Sequence, residues 1–301
     1  MTTANTSPSP EDQTLKISGV INTRNAEAHL DAVLRAMSNI CDELIVGDMD
    51  SSDSTLEIAQ RYGATVLHLG NLGFPEAGIP AILQAATHEW ILRLDADEVL
   101  TAPLGRLLVE LATNDVADVV RIPIRTWMLG RPIDHGSFGP ENSSHPRFFK
   151  RGFIQHVDRI HGVHVIAPHA RVLRISDIPG WFEEGRYVEH LSYRGTVDMR
   201  LKAVRYTTNE AEQAAHKDLL KLALQAVVKI PYEFFGRFVH RAGYRDRLLA
   251  MMVSANCALY QAERAMRMVQ FRFFGTDQEI EQTNHSIADA AVRSWENAKW
   301  Q

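Results

Sequence analysis

Three carboxylates directly follow a mostly apolar run of strand length. The run is Ile91–Leu94, and Asp95, Asp97 and Glu98 stand at its end. A buried strand that ends in acids indicates a binding site, because ligands of open α/β sheets bind beyond the carboxyl ends of the strands. Two carboxylates one residue apart can share a hard divalent cation and the phosphate oxygens that it carries. The ordinary alternative is that these acids cap a helix or face water.

The segments before this cluster predict the sheet that positions it. From residue 15 to about residue 100, strand-length apolar runs alternate with amphipathic helical patterns, which predicts βαβ units and a mostly parallel sheet. The carboxyl ends of parallel strands lie on one edge of a sheet. We therefore expect one cleft to gather Asn25, Glu27, Asp48 and Asp97, within an α/β fold that has a Rossmann-like sheet and flanking helices.

The composition predicts a sizeable core and an acidic protein. The chain has 301 residues, 45% of them hydrophobic, and a net charge of −5, which disfavours a nucleic-acid partner because such proteins carry a basic surface. Its two cysteines, Cys41 and Cys257, are far apart, which disfavours a disulfide framework and favours a reducing compartment. No apolar run reaches the roughly 18 residues of a membrane-spanning helix, so a soluble or peripheral protein is expected. Together with the reducing compartment, this favours a cytoplasmic location.

Three regions are expected along the chain. Residues 1–14 predict a disordered tail, residues 15–197 the α/β domain, and residues 198–301 a helical C-terminal extension. Seven arginines lie between Pro231 and Gly275 among Phe and Tyr, beside a long apolar stripe. Such a segment either lies peripherally on the inner face of a membrane, or docks a partner or a second copy, or packs on its own domain.

Three motifs stand where the predicted strands end. They run from Ile17 to Glu27, from Glu43 to Thr55 and from Trp90 to Glu98. In order and spacing they resemble the inverting family 2 glycosyltransferases of the GT-A fold. Further segments between Ile122 and Ala250 look like the subgroup of lipopolysaccharide inner-core β-1,4-glucosyltransferases. The resemblance covers most of residues 15–260 and implies a nucleotide-sugar donor, a divalent metal and inversion at the anomeric carbon.

The resemblance also implies roles for the donor-binding residues. Thr23, Asn25 and Glu27 match the loop that holds the nucleoside, and Asp48 matches a carboxylate that accepts a hydrogen bond from a uracil N–H. Asp95 matches the residue that faces the ribose. The implied donor-binding set is completed by Arg93 and His161.

Metal binding is implied for Asp97, which matches a ligand of the Mg²⁺ or Mn²⁺ ion that bridges the diphosphate. Such an ion neutralises the charge that develops on the departing nucleoside diphosphate. Asp95 and His190 complete the implied ligand set. His190 begins a match of the form His-x-Ser-Tyr and is either a metal ligand or a diphosphate contact, with His161 as its competitor.

Inversion requires a base that takes the proton of the acceptor hydroxyl, and a carboxylate is the usual choice. Glu141 is the first candidate, because its spacing to Arg147 reproduces that of the family base and a following arginine. Related enzymes often have Glu directly after the histidine matched by His161, whereas this chain has Gly162. Asp158 is the nearest substitute, and a solvent-exposed loop carboxylate is the plain alternative for Glu141.

The function that follows is a metal-dependent inverting transfer of a glucose-like sugar from a UDP-sugar to a hydroxyl of a glycan or glycolipid. One alternative is transfer to a peptide or a secondary metabolite. Another is a sugar-nucleotide-binding protein without activity, suggested by Gly162 and by Gly78, where the subgroup tends to have an arginine that would meet the donor phosphates.

Overall fold

The computed structural model describes residues 15–73, 75–155, 165–193, 195–214 and 228–296. The expected tail, 1–14, and the candidates Asp158 and His161 lie outside these residues. The chain divides into two compact units, residues 1–192 and residues 193–301. The units are described separately below.

The first unit contains twelve described strands and four described α-helices. The strands are β1 (Ile17–Thr23), β2 (Glu43–Asp48), β3 (Thr65–His68), β4 (Trp90–Asp95), β5 (Glu98–Leu100), β6 (Val119–Met128), β7 (Arg131–Pro132), β8 (Ser144–Lys150), β9 (Ile154–Gln155), β10 (Val165–Ile166), β11 (Val172–Arg174) and β12 (Val188–Tyr193). The helices are α1 (Leu30–Met37), α2 (Thr55–Arg61), α3 (Ile79–Ala85) and α4 (Ala102–Thr113).

Ten of these strands form one sheet, in which the order is β3-β2-β1-β4-β8-β6-β12-β5 and β7 and β11 pair with β6. The first four strands in this order are parallel, as expected for βαβ units. From β8 onward the pairing is mainly antiparallel, except that β11 runs parallel to β6. The parallel half therefore brings the ends of β1, β2 and β4 to one edge.

Apolar side chains cover both faces of the parallel half, which is why its strands are almost continuously apolar. On one face the core includes α1, whose Leu30, Val33, Leu34 and Met37 are buried, together with parts of α2 and α4. On the other face Ile82 of α3 packs with Ile45 and Ile91. The approach of α3 is so close that a Cβ at Gly47 would lie 2.6 Å from Cγ2 of Ile82.

The second unit is helical in its described part. Its α-helices are α5 (Thr196–Ala214), α6 (Arg247–Phe273) and α7 (Asp277–Glu296), with a π-helical turn at Gly236–His240 before α6. Buried Ala211 of α5 packs with Met268 of α6. Glu210 pairs with Arg264 and accepts a hydrogen bond from the Tyr260 hydroxyl at 2.7 Å. In the described part of the chain, every helix is too short or too polar to cross a membrane.

Candidate functional site

The acidic tip, which we define as Asp95, Asp97 and Glu98, is a tight connection between β4 and β5. Asp95 is the last residue of β4 and Glu98 the first residue of β5. The backbone N–H of Asp95 donates to Oε2 of Glu98 at 3.0 Å. Because Glu98 bonds back to the turn, its carboxylate shapes the tip rather than facing the solvent.

Two buried arginines hold Asp95. Nη2 of Arg147, on β8, donates to Oδ2 of Asp95 and to Oε1 of Glu98, each at 2.5 Å. Nη2 of Arg93 donates to Oδ1 of Asp95 at 3.3 Å. The side chains of Arg147 and Glu98 are 6% and 1% exposed, and buried charges are tolerated only when they are paired. Burial, followed by the negative charge of Asp95, raises the pKa of Glu98 well above its usual value.

Asp97 points to a different neighbour. Nε2 of His190 lies 3.5 Å from Oδ1 of Asp97, and both side chains are partly exposed. The pairing of β12 with β5 positions His190, which lies opposite Glu98, and the backbone N–H of Leu191 donates to the carbonyl oxygen of Asp97 at 2.9 Å. Two of the three expected metal ligands are therefore adjacent.

The third expected ligand, Asp95, does not join this pair. Both of its carboxylate oxygens accept hydrogen bonds from arginines. Within the described ranges, no three His, Cys, Asp or Glu side chains gather in a group that could hold a metal ion. What the protein offers a divalent ion is thus Asp97 with His190. The carboxylate suits Mg²⁺ or Mn²⁺, and the imidazole favours a transition ion such as Mn²⁺, when a ligand such as a diphosphate supplies the remaining oxygens.

The loops after β1 and β2 are bonded to each other, and we call residues 24–27 and 50–54 the loop pair. Oδ1 of Asn25 accepts from the Ser52 N–H at 2.8 Å, and Oε2 of Glu27 accepts from the Ser54 N–H at 3.1 Å. In return, Oδ2 of Asp53 accepts from the Glu27 N–H at 3.1 Å. The side-chain oxygens of Asn25 and Glu27, which are expected to contact the donor, are thus bonded to the other loop in this structure.

Thr23 and Asp48 end β1 and β2 at opposed positions and are almost fully buried. Oδ2 of Asp48 accepts from the Ser51 N–H at 3.2 Å. Oδ1 of Asp48 and Oγ1 of Thr23 are buried and have no hydrogen-bond partner among the described residues. Leaving a buried acceptor unpaired costs free energy, so this position is suited to an N–H group brought by a ligand.

The candidate base Glu141 is exposed in a turn after Gly139. Among the described residues, the Glu141 side chain makes no hydrogen bond or ion pair, neither with the acidic tip nor elsewhere. Gly78 lies against β1, where a Cβ would come within 2.6 Å of Nδ2 of Asn22. A side chain at Gly78, such as the arginine that the subgroup tends to carry there, would therefore have to displace the side chains of Asn22 and Leu69.

Arg147 is the functional neighbour that the sequence did not identify in its role. From the sequence, Arg147 serves only as the arginine whose spacing identifies Glu141 as a candidate base. In the structure, Arg147 is the cation that bonds to both Asp95 and Glu98. A signal was present, because an arginine followed by Phe148 and Phe149 within one strand predicts a buried charge that needs a carboxylate partner.

A parallel sheet whose strand ends carry buried polar groups belongs to the broad class of α/β proteins that bind ligands at that edge. Residues 18–177 match the model of Glycosyl transferase family 2. This stretch is more than half of the 301 residues, so the chain belongs to that family. Family membership and the α/β fold class with its helical C-terminal region are confirmed, while the narrower resemblance to the lipopolysaccharide subgroup stays a prediction.

Curated relatives match a short part of the chain. Uncharacterized glycosyltransferases of Rickettsia felis and Rickettsia bellii are each 38% identical to it, over 90 and 92 residues respectively. Each match covers 30% of this chain and 31% of the relative, so the chain spans just under a third of the length of the curated relatives that it matches.

Solved structures are similar over different extents. S. aureus TarS 1–349 in complex with UDP is 17% identical, with a TM-score of 0.45 over 86% of this chain and 91% of that chain. Glucosyl-3-phosphoglycerate synthase from Mycobacterium tuberculosis, in complex with Mn²⁺, UDP and glucosyl-3-phosphoglycerate, is 25% identical. Its TM-score is 0.29 over 38% of this chain and 45% of that chain.

Proposed function

We propose that the protein is a metal-dependent inverting glycosyltransferase that moves a glucose-like sugar from a UDP-sugar to a hydroxyl of a glycan or glycolipid. The observation that carries this proposal is the distribution of buried polar atoms without partners. Acceptors, Oδ1 of Asp48 and Oγ1 of Thr23, lie at the ends of β1 and β2. Donors, the Nε–H groups of Arg93 and Arg147, lie beside the acidic tip. A ligand with N–H groups at one end and anionic oxygens at the other satisfies both sets, and a uridine diphosphate has this polarity.

The residues at each end would bind different parts of the donor. Asp48 would accept from the uracil N–H, with Thr23 beside it, while the loop pair holds both residues in place. Asp95, fixed by its arginines, would face the ribose, and Arg93 would add positive charge near the phosphates. The carboxylates and arginines are already bonded to one another, so little reorganisation is needed when the donor arrives.

Asp97 and His190 fit a divalent ion, Mg²⁺ or Mn²⁺, in part: they supply two ligands, and the diphosphate would have to supply others. When bound, such an ion stabilises the charge that develops on the departing nucleoside diphosphate. The protein's own contribution is to hold Asp97 and His190 together through the pairing of β5 with β12.

Transfer with inversion would proceed by attack of the acceptor oxygen on the anomeric carbon from the face opposite the diphosphate. The new C–O bond forms as the bond to the leaving phosphate oxygen breaks, and a carboxylate accepts the hydroxyl proton. Glu141 is the proposed base, because it is exposed and thus accessible to an acceptor. Asp158 is the alternative.

A donor screen that measures nucleoside diphosphate release with Mn²⁺ tests the proposal. UDP-sugars should be turned over, EDTA should abolish the reaction, and Asp97→Asn should lower kcat/KM at least about 100-fold, as expected when a group that stabilises the transition state is lost. Asp289→Asn, which changes an exposed aspartate of α7, is the matched control and should leave the rate unchanged. Unchanged activity in Asp97→Asn would refute the metal role.

The base assignment has its own test. Glu141→Gln should lower kcat by about 100-fold or more with little change in UDP affinity, since general base catalysis contributes about 10²–10⁴-fold. Glu183→Gln, another exposed glutamate, is the control. Normal transfer by Glu141→Gln together with a loss in Asp158→Asn would move the role to Asp158.

Two alternatives differ in the acceptor and in turnover. The chain could glycosylate a peptide or a secondary metabolite on the same donor site. It could also bind sugar nucleotides without turnover, an alternative favoured by Gly78, where the subgroup tends to have an arginine that would meet the donor phosphates. Tight UDP binding with Mn²⁺ but no turnover of any donor would support the second alternative.

For the second unit we propose attachment to an anionic membrane surface through residues 231–248, which we call the basic aromatic segment. Its exposed apolar side chains are Tyr232, Phe235, Val239, Tyr244 and Leu248. Arg241, Arg245 and Arg247 are exposed in the same segment. Aromatic side chains at the interface with arginines at headgroup level are the two contributions that hold peripheral proteins on anionic lipid.

Co-sedimentation with vesicles of anionic and of zwitterionic lipid tests this attachment. Replacing Tyr232, Phe235 and Tyr244 by Ser should abolish binding to anionic vesicles, whereas replacing the exposed Ile287 and Val292 of α7 by Ser should not. Equal sedimentation of all three proteins would contradict the proposal. If the aromatic variant instead changes the oligomeric state measured by light scattering, the segment binds a second copy of the chain.

A further inference from the structure

Two arginines occupy opposed positions on neighbouring strands of the first unit. Arg121 on β6 pairs with Arg174 on β11 in a parallel register. Neighbouring strands lie about 4.8 Å apart, so that opposed side chains are adjacent. Like charges at opposed positions destabilise a sheet. Burial, and then the positive charge of Arg174, lowers the pKa of Arg121. An anion bound beside the two guanidinium groups would offset this repulsion.

Among the described residues, no carboxylate provides such an anion. Nη2 of Arg121 donates to the backbone carbonyl oxygen of Ser144 at 2.5 Å, which is a neutral acceptor, and its Nε–H is buried without a partner. Arg174 is exposed and makes no ion pair with a described residue. At the other end of the same strands the charges are matched, since Arg171 bonds to both Asp115 and Asp118.

The arginine pair lies on the far side of the acidic tip from Thr23 and Asp48. In the sheet, β1 is followed by β4, β8 and then β6, so that β6 lies about 14 Å from β1 at the usual strand spacing. Strand β8 connects the two places, because its Pro146 pairs with Arg121 while the next residue, Arg147, donates to Asp95 of the acidic tip. A donor that extends from β1 to the tip on β4 would leave the arginine pair to the other substrate.

We propose that Arg121 and Arg174 form an anion-binding position that holds a phosphate or carboxylate group of the acceptor beside the acidic tip. This inference rests on the proposed function, because it takes the nucleotide sugar to bind across β1 and β4. Two adjacent guanidinium groups can donate hydrogen bonds to the oxygens of a planar carboxylate or of a tetrahedral phosphate. Oγ of Ser144, buried without a partner next to Arg121, can donate a further hydrogen bond.

Inorganic phosphate is the probe for the full-length chain, measured by calorimetry and by the shift of Tm that a ligand of the folded state produces. Phosphate should bind to the wild type, and the Arg121→Gln/Arg174→Gln variant should bind it at least about tenfold more weakly, as expected for the loss of charged hydrogen bonds. The control, Arg106→Gln/Arg131→Gln, removes two exposed arginines and should bind like the wild type. No binding to the wild type, or equal binding to the double variant, would overturn the proposal.

Stability without phosphate separates binding from a structural role. Because the like charges repel each other, the Arg121→Gln/Arg174→Gln variant should have a Tm equal to or above that of the wild type when no anion is present. A lower Tm for this variant would mean that the arginines stabilise the fold, and would count against the proposal.

A final series distinguishes the source of the anion. With saturating UDP and Mn²⁺, phosphate should still bind, and the double variant should bind UDP within about twofold of the wild type, far less than the tenfold loss that one charged contact would cause. Loss of phosphate binding in the presence of UDP would assign the pair to the donor diphosphate and overturn the acceptor role. If the wild type does not bind UDP with Mn²⁺, the proposed function fails, while the phosphate measurement still reports on the arginine pair.

Discussion

The loop pair and the acidic tip stand at neighbouring strand ends, yet they are built differently. In the loop pair, carboxylate and amide oxygens accept from backbone N–H groups of the other loop, 26 or 27 residues away in the chain, and the segment is largely exposed. At the acidic tip, two buried arginines hold the carboxylates, Arg93 from β4 itself and Arg147 from β8. The first arrangement sets the shape of two loops, whereas the second sets the charge of a cleft. Removing one group should therefore have a small effect in the loop pair and a large effect at the tip.

Arg147→Met should produce the largest effect on stability. The substitution keeps an extended side chain but leaves Glu98, which is 1% exposed, and Asp95 without their common cation. Breaking a buried ion pair by removing one partner typically costs about 3–5 kcal/mol, so the free energy of unfolding in urea should fall by about that amount. Arg186→Met, which removes an arginine paired with the half-exposed Glu184, is the control and should cost no more than about 1 kcal/mol. Similar losses for both variants would remove the distinction between the tip and an ordinary surface pair.

Much of the parallel half was predictable, because strands β1, β2, β3 and β4 and the helices between them follow from local apolar patterns. The acidic tip was predictable for the same reason, since Asp95 and Asp97 directly follow such a strand. Whether Asp95 is available to a metal ion was harder to predict, because both of its oxygens accept hydrogen bonds from Arg93 and Arg147. Arg147 arrives from β8, 52 residues later in the chain. No periodicity reveals a pairing of that kind.

The pairing of Arg121 with Arg174 could not be predicted from the sequence for a similar reason. It depends on a parallel register between β6 and a three-residue strand, and short strands carry little signal. The proximity of Asp97 to His190 was anticipated from a motif resemblance, and the structure adds its physical cause, which is the antiparallel pairing of β5 with β12. Local patterns thus predicted what each strand end carries, but not which distant side chains reach it.

Asp48→Asn should have an intermediate effect and should act on binding. Oδ1 of Asp48 is buried without a partner, so the variant should unfold with nearly the same free energy but bind UDP with Mn²⁺ about tenfold more weakly, the usual loss for a charged hydrogen bond. An asparagine amide can donate to cytosine N3, so the preference for UDP over CDP should decrease or reverse. Calorimetry with both nucleotides checks this, with Asp289→Asn as the control. An unchanged UDP/CDP ratio would exclude Asp48 from base recognition.

The smallest effect is expected for Asn25→Ala in the loop pair. The variant loses the two hydrogen bonds that Oδ1 accepts from the Ser52 N–H and hydroxyl, and it places alanine at a φ of 51°, a left-handed conformation that asparagine adopts more readily. Together these should lower the free energy of unfolding by about 1–2 kcal/mol. Hydrogen exchange at the Ser52 amide should become faster, and UDP affinity should fall by less than about tenfold, because the loop becomes less ordered but no contact with the donor is lost. Asn25→Asp keeps the acceptor and should preserve both properties. A tenfold loss of UDP affinity in Asn25→Ala with unchanged protection at Ser52 would mean that Asn25 contacts the donor directly, so that the loop pair, like the acidic tip, contributes ligand contacts as well as shape.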